Sequence, residues 1–133
     1  MGITLTGRDL IRYKPHLEKT SGYDKRPTAL DNYITAGITF VDNEMIVAGI
    51  DLNDSFLTDN QSYENVYLQY IYYLYTESCN IINPTKEDLD LIKIEYNKYL
   101  DMLSVFKTIY QNNNLEENEE PKSLYNNITL KFG

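Results

Sequence analysis

The sequence predicts a mainly α-helical protein, a small bundle of about four helices whose last helix is long, followed by a C-terminal β-strand. Two observations carry this prediction. Apolar side chains recur every three or four residues in four separate segments, which is the repeat of one face of an α-helix. The period changes to two only near the C-terminus, where Ile128, Leu130 and Phe132 alternate with polar residues, as in a strand.

The first predicted helix is short and ends at Tyr13. Thr6 and Asp9 have the spacing of a capping box, in which a hydroxyl and a carboxylate bind the free N–H groups at a helix start. Pro15 follows and cannot continue a helix, because it lacks an N–H donor. Residues 14–27 are mostly polar and basic, and this composition predicts an exposed loop.

The second predicted helix begins at Thr28 and ends at Ala48, where Gly49 provides a C-cap. Gly37 lies inside this helix, where glycine costs up to about 1 kcal/mol relative to alanine. A glycine at such a position marks either a kink or a close approach of two helices. We expect the close approach.

A third helix, rich in tyrosine, is predicted from a cap at Asn60 or Ser62 to about Ser78. Tyr72 and Tyr73 lie off its apolar stripe, which indicates contacts on two sides of the helix. Aromatic residues at helical spacing are also typical of an ordinary core, and that is the simpler interpretation.

The fourth helix gives the longest regular pattern, from Thr85 to Tyr110. Thr85 and Asp88 have capping-box spacing at its start, and the polar run Gln111–Asn114 predicts its end. A second apolar stripe lies beside the main one and consists of Leu91, Met102, Val105 and Ile109. We therefore expect this helix to pack on more than one side, with another surface covering the second stripe.

The chain divides into three parts: a helical domain over residues 1–111, an acidic linker over 112–123 and a C-terminal strand over 124–133. Its length suits a single hydrophobic core. A lone strand leaves its N–H and C=O groups unpaired, and no other segment has the period of a strand. We therefore expect the strand to pair with a partner protein or a neighbouring subunit; a frayed C-terminus is the alternative.

Charge is unevenly distributed along the chain. The formal net charge is −8, but residues 1–27 carry a net charge of +3 and the remaining residues a net charge of −11. This polarity does not suit nucleic-acid binding, which usually needs a dense basic face, and it favours head-to-tail contacts between charged surfaces of neighbouring subunits. An acidic surface that only keeps the protein in solution is an equally simple interpretation.

The sequence lacks the residue patterns that catalytic and metal sites need. His16 is the single histidine, Cys79 is the single cysteine, and the six glycines do not have the spacing of a nucleotide-binding loop. We therefore predict no enzymatic activity, no metal and no cofactor. No apolar segment reaches the roughly 20 residues that span a bilayer, and no signal peptide opens the chain, so we expect no membrane location.

The order of these elements resembles the small head–tail connector proteins of tailed bacteriophages, also called adaptor or head-completion proteins. The resemblance lies in the short first helix and in three segments, DNYITAGITFVDNEMIVAG, YLQYIYYLY and EYNKYLDMLSVFKTI. It implies a structural protein of the virion neck that forms a ring, commonly of twelve copies, between the portal protein and the tail or collar proteins. It also implies assembly in the host cytoplasm and a ring through which DNA passes without sequence-specific binding.

Members of that family contact the portal or the tail through an extended loop and the end of the chain, which correspond here to Lys14–Arg26 and Leu124–Phe132. With the basic residues of the first helix, these segments give a candidate set of subunit and portal contacts. The set is Arg8, Arg12, Lys14, Lys19, Lys25, Arg26, Leu124, Tyr125, Ile128, Leu130 and Phe132. Two other functions remain open: a collar or tail-end subunit of a contractile particle, and an acidic inhibitor or regulator that binds a host protein.

Overall fold

The computed structural model describes residues 2–118, which fold into five α-helices and one 3₁₀ turn. The helices are α1 (Gly7–Tyr13), α2 (Leu17–Thr20), α3 (Asp31–Val47), α4 (Gln61–Cys79) and α5 (Lys86–Asn118), and the 3₁₀ turn is Ser55–Leu57. The predicted mainly α-helical class is confirmed, and residues 2–118 contain no strand. The predicted C-terminal strand, 124–133, lies outside the described residues.

Helix α4 occupies the centre of the bundle. Six consecutive residues, Val66–Ile71, are buried, so this part of the helix is covered on every side. Helices α1, α3 and α5 all pack against α4. A helix with only one apolar face could not be covered in this way. Tyr72 and Tyr73 are half-buried against the core, so the predicted contacts on a second side of the tyrosine-rich helix are confirmed.

Gly37 lies where α3 crosses α4. A Cβ atom at this position would overlap Cγ1 of Ile71, which is fully buried on α4. The two helix backbones therefore approach closely here, and any other residue at position 37 would require the Ile71 side chain or the helices to shift. The close helix approach predicted from this glycine is confirmed.

Side-chain caps mark the starts of three helices. Thr6 and Asp9 form a capping box at α1, in which the Thr6 N–H donates to the Asp9 carboxylate at 2.8 Å. Asn60, rather than Ser62, caps α4 by accepting a hydrogen bond from the Tyr63 N–H at 3.0 Å. At the start of α5, the N–H of Asp88 donates to the Thr85 hydroxyl at 3.1 Å.

The predicted end of the long helix is wrong. Helix α5 continues through Gln111–Asn114 to Asn118, so residues 112–118 of the predicted acidic linker are helical. The Tyr110 hydroxyl donates to the Asp54 carboxylate at 2.9 Å and accepts from the Asp51 N–H at 3.2 Å. These contacts hold the helix just before the polar run. Extending an existing helix is favourable enough that the low helix propensity of asparagine does not end it there.

The segment predicted as an exposed basic loop is also partly wrong. Residues 14–27 contain the short helix α2, and Leu17 within it is fully buried. One apolar residue thus anchors a segment whose composition is otherwise polar. Helix α3 begins at Asp31 rather than Thr28, because residues 27–30 form turns ahead of it.

Candidate assembly surfaces

A chain of buried hydrogen bonds joins three helices of the bundle. The Tyr13 hydroxyl on α1 donates to Oε1 of Gln69 on α4 at 2.6 Å. Nε2 of Gln69 donates to the Glu95 carboxylate on α5 at 2.8 Å and to the Glu95 main-chain oxygen at 2.9 Å. Gln69 is fully inaccessible to solvent. These bonds fix the N-terminal segment relative to α5, and they satisfy polar groups that would otherwise be costly to bury.

No sequence pattern predicted this set of residues. Gln69 interrupts the apolar run Val66–Ile71, and a single amide inside such a run is the signal that could have revealed it. Each polar side chain of the set is paired within the set, so the arrangement is suited to holding helices in place. Sequence patterns that identify one helix face cannot identify a partner on another helix.

Partly buried tyrosines make the stability of the fold sensitive to alkaline pH. Burial, with a smaller effect of the Glu95 carboxylate, raises the pKa of Tyr13 to about 12. Burial beside Glu77 raises the pKa of Tyr73 to about 12. An unfolded chain loses these protons near pH 10, whereas the folded chain keeps them to about pH 12. The stabilisation is therefore complete below pH 10 and is lost as the pH rises from about 10 to about 12.

We expect urea unfolding followed by circular dichroism to give a lower midpoint at about pH 11 than at about pH 9, with tyrosinate absorbance rising as the helices are lost. Tyr13→Phe and Tyr73→Phe remove the two hydroxyls and should make the fall with pH smaller. Equal midpoints at both pH values, with every tyrosine titrating near its ordinary pKa, would contradict this interpretation.

Helix α5 carries an exposed apolar surface in addition to its buried face. We call it the α5 stripe, and it consists of Leu91, Ile94, Met102, Val105 and Ile109. Ile94 is 59% and Val105 60% exposed, and Met102 is half-buried. Of the second stripe predicted from the sequence, Leu91, Val105 and Ile109 are exposed in the described residues, whereas Met102 packs partly against the core. Exposed apolar side chains on one helix face are typical of protein–protein contact surfaces.

One end of the α5 stripe forms the wall of a groove between α4 and α5. The groove has a volume of about 240 Å³ and is lined by Ser62, Asn65, Asp101, Met102, Val105, Phe106 and Ile109. Asn65 also lines a second groove that reaches Asp9 and Arg12 on α1. The α5 stripe and the basic N-terminal segment are therefore neighbours on one side of the molecule.

A second set of exposed apolar side chains lies on α3, and we call it the α3 patch. It consists of Phe40, Ile46 and Val47, of which Val47 is 84% exposed. The Phe40 ring stacks on Tyr70 of α4, with ring centroids 4.5 Å apart, so this part of the patch is held rigidly by the central helix. The α3 patch and the α5 stripe lie on two different helices that pack against α4.

Most of the predicted basic contact residues are exposed, as a contact role requires. Arg8, Arg12, Lys19, Lys25 and Arg26 are exposed, and within residues 2–118 only Arg12 among them forms an ion pair, with Asp9. Tyr23 packs on Gly7 and thereby brings the turn that carries Lys25 and Arg26 beside the start of α1.

Lys14 differs from the other basic residues. It is half-buried, and its Nζ lies 5.2 Å from the Tyr13 ring centroid and 5.1 Å from the Tyr72 ring centroid. These cation–π contacts hold Lys14 against its own chain. The other predicted contact residues, Leu124, Tyr125, Ile128, Leu130 and Phe132, lie outside the described part of the chain.

Residues 2–118 contain neither a metal-binding cluster nor a membrane-spanning helix. This part of the chain contains no group of three or more His, Cys, Asp or Glu side chains that could hold a metal ion. None of its helices has the length and apolar character that crossing a membrane requires. Comparisons with protein-family models, with curated proteins and with solved structures found no match to this chain.

Proposed function

We propose that this protein is a structural subunit that assembles into a ring, and that the ring is the head–tail connector in the neck of a tailed bacteriophage. The observation that carries the proposal is the presence of two different exposed apolar surfaces, the α5 stripe and the α3 patch. A subunit in a closed ring contacts its two neighbours through two different surfaces, which must fit each other. In this arrangement, the α5 stripe of one copy packs on the α3 patch of the next.

The charges of the chain supply the contacts above and below the ring. The exposed cations of α1 and the following turns, among them Arg8, Lys19 and Arg26, are placed to bind acidic surfaces of the portal or of tail proteins. The C-terminal strand, 124–133, pairs with a neighbouring subunit in this proposal. The net charge of −11 outside the first 27 residues favours a channel that repels DNA phosphates rather than binding them.

A substitution in the α3 patch tests the ring. Val47→Asp places a charge at the most exposed residue of the α3 patch, whereas Asn32→Asp makes a similar change in charge at an exposed position near the other end of α3. Negative-stain electron microscopy and mass photometry of the full chain, alone and with purified portal protein, should reveal rings for the wild type and Asn32→Asp. Val47→Asp should form none.

Two results would overturn the proposal. One is the absence of rings from the wild type in both conditions. The other is a monomer that displaces DNA from a host protein, which would favour the inhibitor or regulator function instead. Rings that bind collar or tail-sheath proteins but not the portal would place the subunit in a contractile particle.

A further inference from the structure

The α5 stripe is complementary to itself when a second copy is turned end to end. We propose that two unassembled copies of this protein pair through an antiparallel α5–α5 contact. In this contact, Leu91 of one copy lies against Ile109 of the second copy, and Lys98 of each copy lies beside Asp101 of the other. This dimer goes beyond the proposed ring and does not depend on it.

The spacing of the stripe carries the first part of the argument. Leu91 and Ile109 are separated from position 100 by the same number of residues. The separations of Ile94 and Val105 from position 100 differ by one residue. An antiparallel pair centred at position 100 therefore places apolar side chains opposite apolar side chains at both ends of the contact. Helices that pack in this way bury the apolar side chains at both ends of the contact.

The charges at the centre carry the second part. Lys98 and Asp101 are exposed, and neither takes part in an ion pair within the described residues. Their separations from position 100 also differ by only one residue. The two-fold axis of the antiparallel pair, which passes near position 100, therefore generates two Lys98–Asp101 contacts between the copies. A parallel pair would instead bring Lys98 against Lys98 and Asp101 against Asp101, which repel each other. The charges thus select the antiparallel arrangement.

The dimer and the ring need the same surface and therefore exclude each other. An exposed apolar stripe promotes non-specific association in a free chain, and pairing with a second copy covers it. The ring can form only when the dimer opens and the α3 patch of a neighbour replaces the second α5. In this scheme, the dimer is the resting form of the subunit and limits assembly in the absence of its partners.

Disulfide cross-linking tests the register of the dimer. The natural Cys79 is exposed, so it is first replaced by serine. In this Cys79→Ser background, Leu91→Cys and Ile109→Cys are prepared as two separate variants. Oxidation of their mixture should give a covalent dimer that contains one copy of each variant. Each variant oxidised alone should give at least tenfold less covalent dimer, since two copies of residue 91 lie about 27 Å apart in the antiparallel pair. Asn97→Cys, on another face of α5, mixed with Ile109→Cys is the matched control and should not cross-link.

Charge exchange tests the centre of the contact. Lys98→Glu and Asp101→Lys should each weaken dimerisation at least tenfold, measured by sedimentation equilibrium, and the double variant should regain the wild-type affinity. Efficient cross-linking of Leu91→Cys with itself would overturn the antiparallel arrangement. The absence of any cross-link would overturn the dimer, as when the chain's own C-terminal residues cover the stripe.

The two proposals fail separately in these experiments. Val47→Asp should abolish rings and leave the Leu91–Ile109 cross-link unchanged. Rings without the cross-link contradict only the dimer. The cross-link without rings contradicts only the connector function.

Discussion

Gly37→Val is expected to unfold the protein at much lower urea concentrations than the wild type requires. Even a single Cβ atom at this position would overlap Cγ1 of Ile71, and valine adds two further methyl groups. The Ile71 side chain or the crossing of α3 and α4 would have to shift, and we expect a loss of about 3 kcal/mol in the free energy of unfolding. Urea titration followed by circular dichroism measures this loss.

The neighbouring Ala36 provides the matched control. It lies on the same helix but is exposed, so Ala36→Val should cost only about 0.5 kcal/mol, from helix propensity. Ile71→Ala removes the Cγ1 atom that the new side chain would strike. The double variant Gly37→Val with Ile71→Ala should therefore lose less free energy of unfolding than the two single variants do in sum. Equal stabilities of Gly37→Val and Ala36→Val would contradict the close crossing.

Gln69→Leu is expected to have the second large effect. The substitution keeps the approximate size of the side chain but leaves the buried Glu95 carboxyl group without its amide donor and Tyr13 without its acceptor. A buried polar group that loses its partner costs its full desolvation energy, so we expect a loss of about 3 kcal/mol in the free energy of unfolding. The same urea titration measures it.

Two further variants separate the lost hydrogen bond from a general packing defect. Gln69→Leu combined with Glu95→Leu removes both members of the buried pair and should recover much of the stability. Tyr99→Phe removes a buried hydroxyl that has no hydrogen-bond partner within the described residues, so it should be neutral or slightly stabilising. If the double variant at positions 69 and 95 loses the full sum of the single losses, the network does not contribute as described.

Local patterns predicted much of this fold because each reflects the chemistry of a single helix. Apolar spacing predicted the main helices, the Thr6 and Thr85 caps followed from their partners three residues on, and Gly37 indicated a close crossing. The second stripe on the last helix was likewise visible from spacing alone, through residues such as Val105. For these features, the sequence near each residue already contains the physical cause.

Features that depend on a second element could not be predicted in this way. The central position of α4 follows from three helices packing around it, which no single period encodes. Gln69 becomes part of a network only when Tyr13 and Glu95 arrive from other helices. The hydrogen bond between Tyr110 and Asp54, far away in sequence, is likewise invisible to a local pattern, and α5 continues past Tyr110 although asparagines favour turns.

Sedimentation velocity of the wild type and Val105→Glu most directly tests the central claim, that the α5 stripe is a contact surface between proteins. Val105 is 60% exposed, so the variant should fold normally, and Thr108→Glu on the same helix outside the stripe is the control. We predict assemblies heavier than one 15.6 kDa chain for the wild type and Thr108→Glu, and a single 15.6 kDa species for Val105→Glu. The claim would be contradicted if the wild type sedimented as a single chain at every concentration, as Val105→Glu is expected to do.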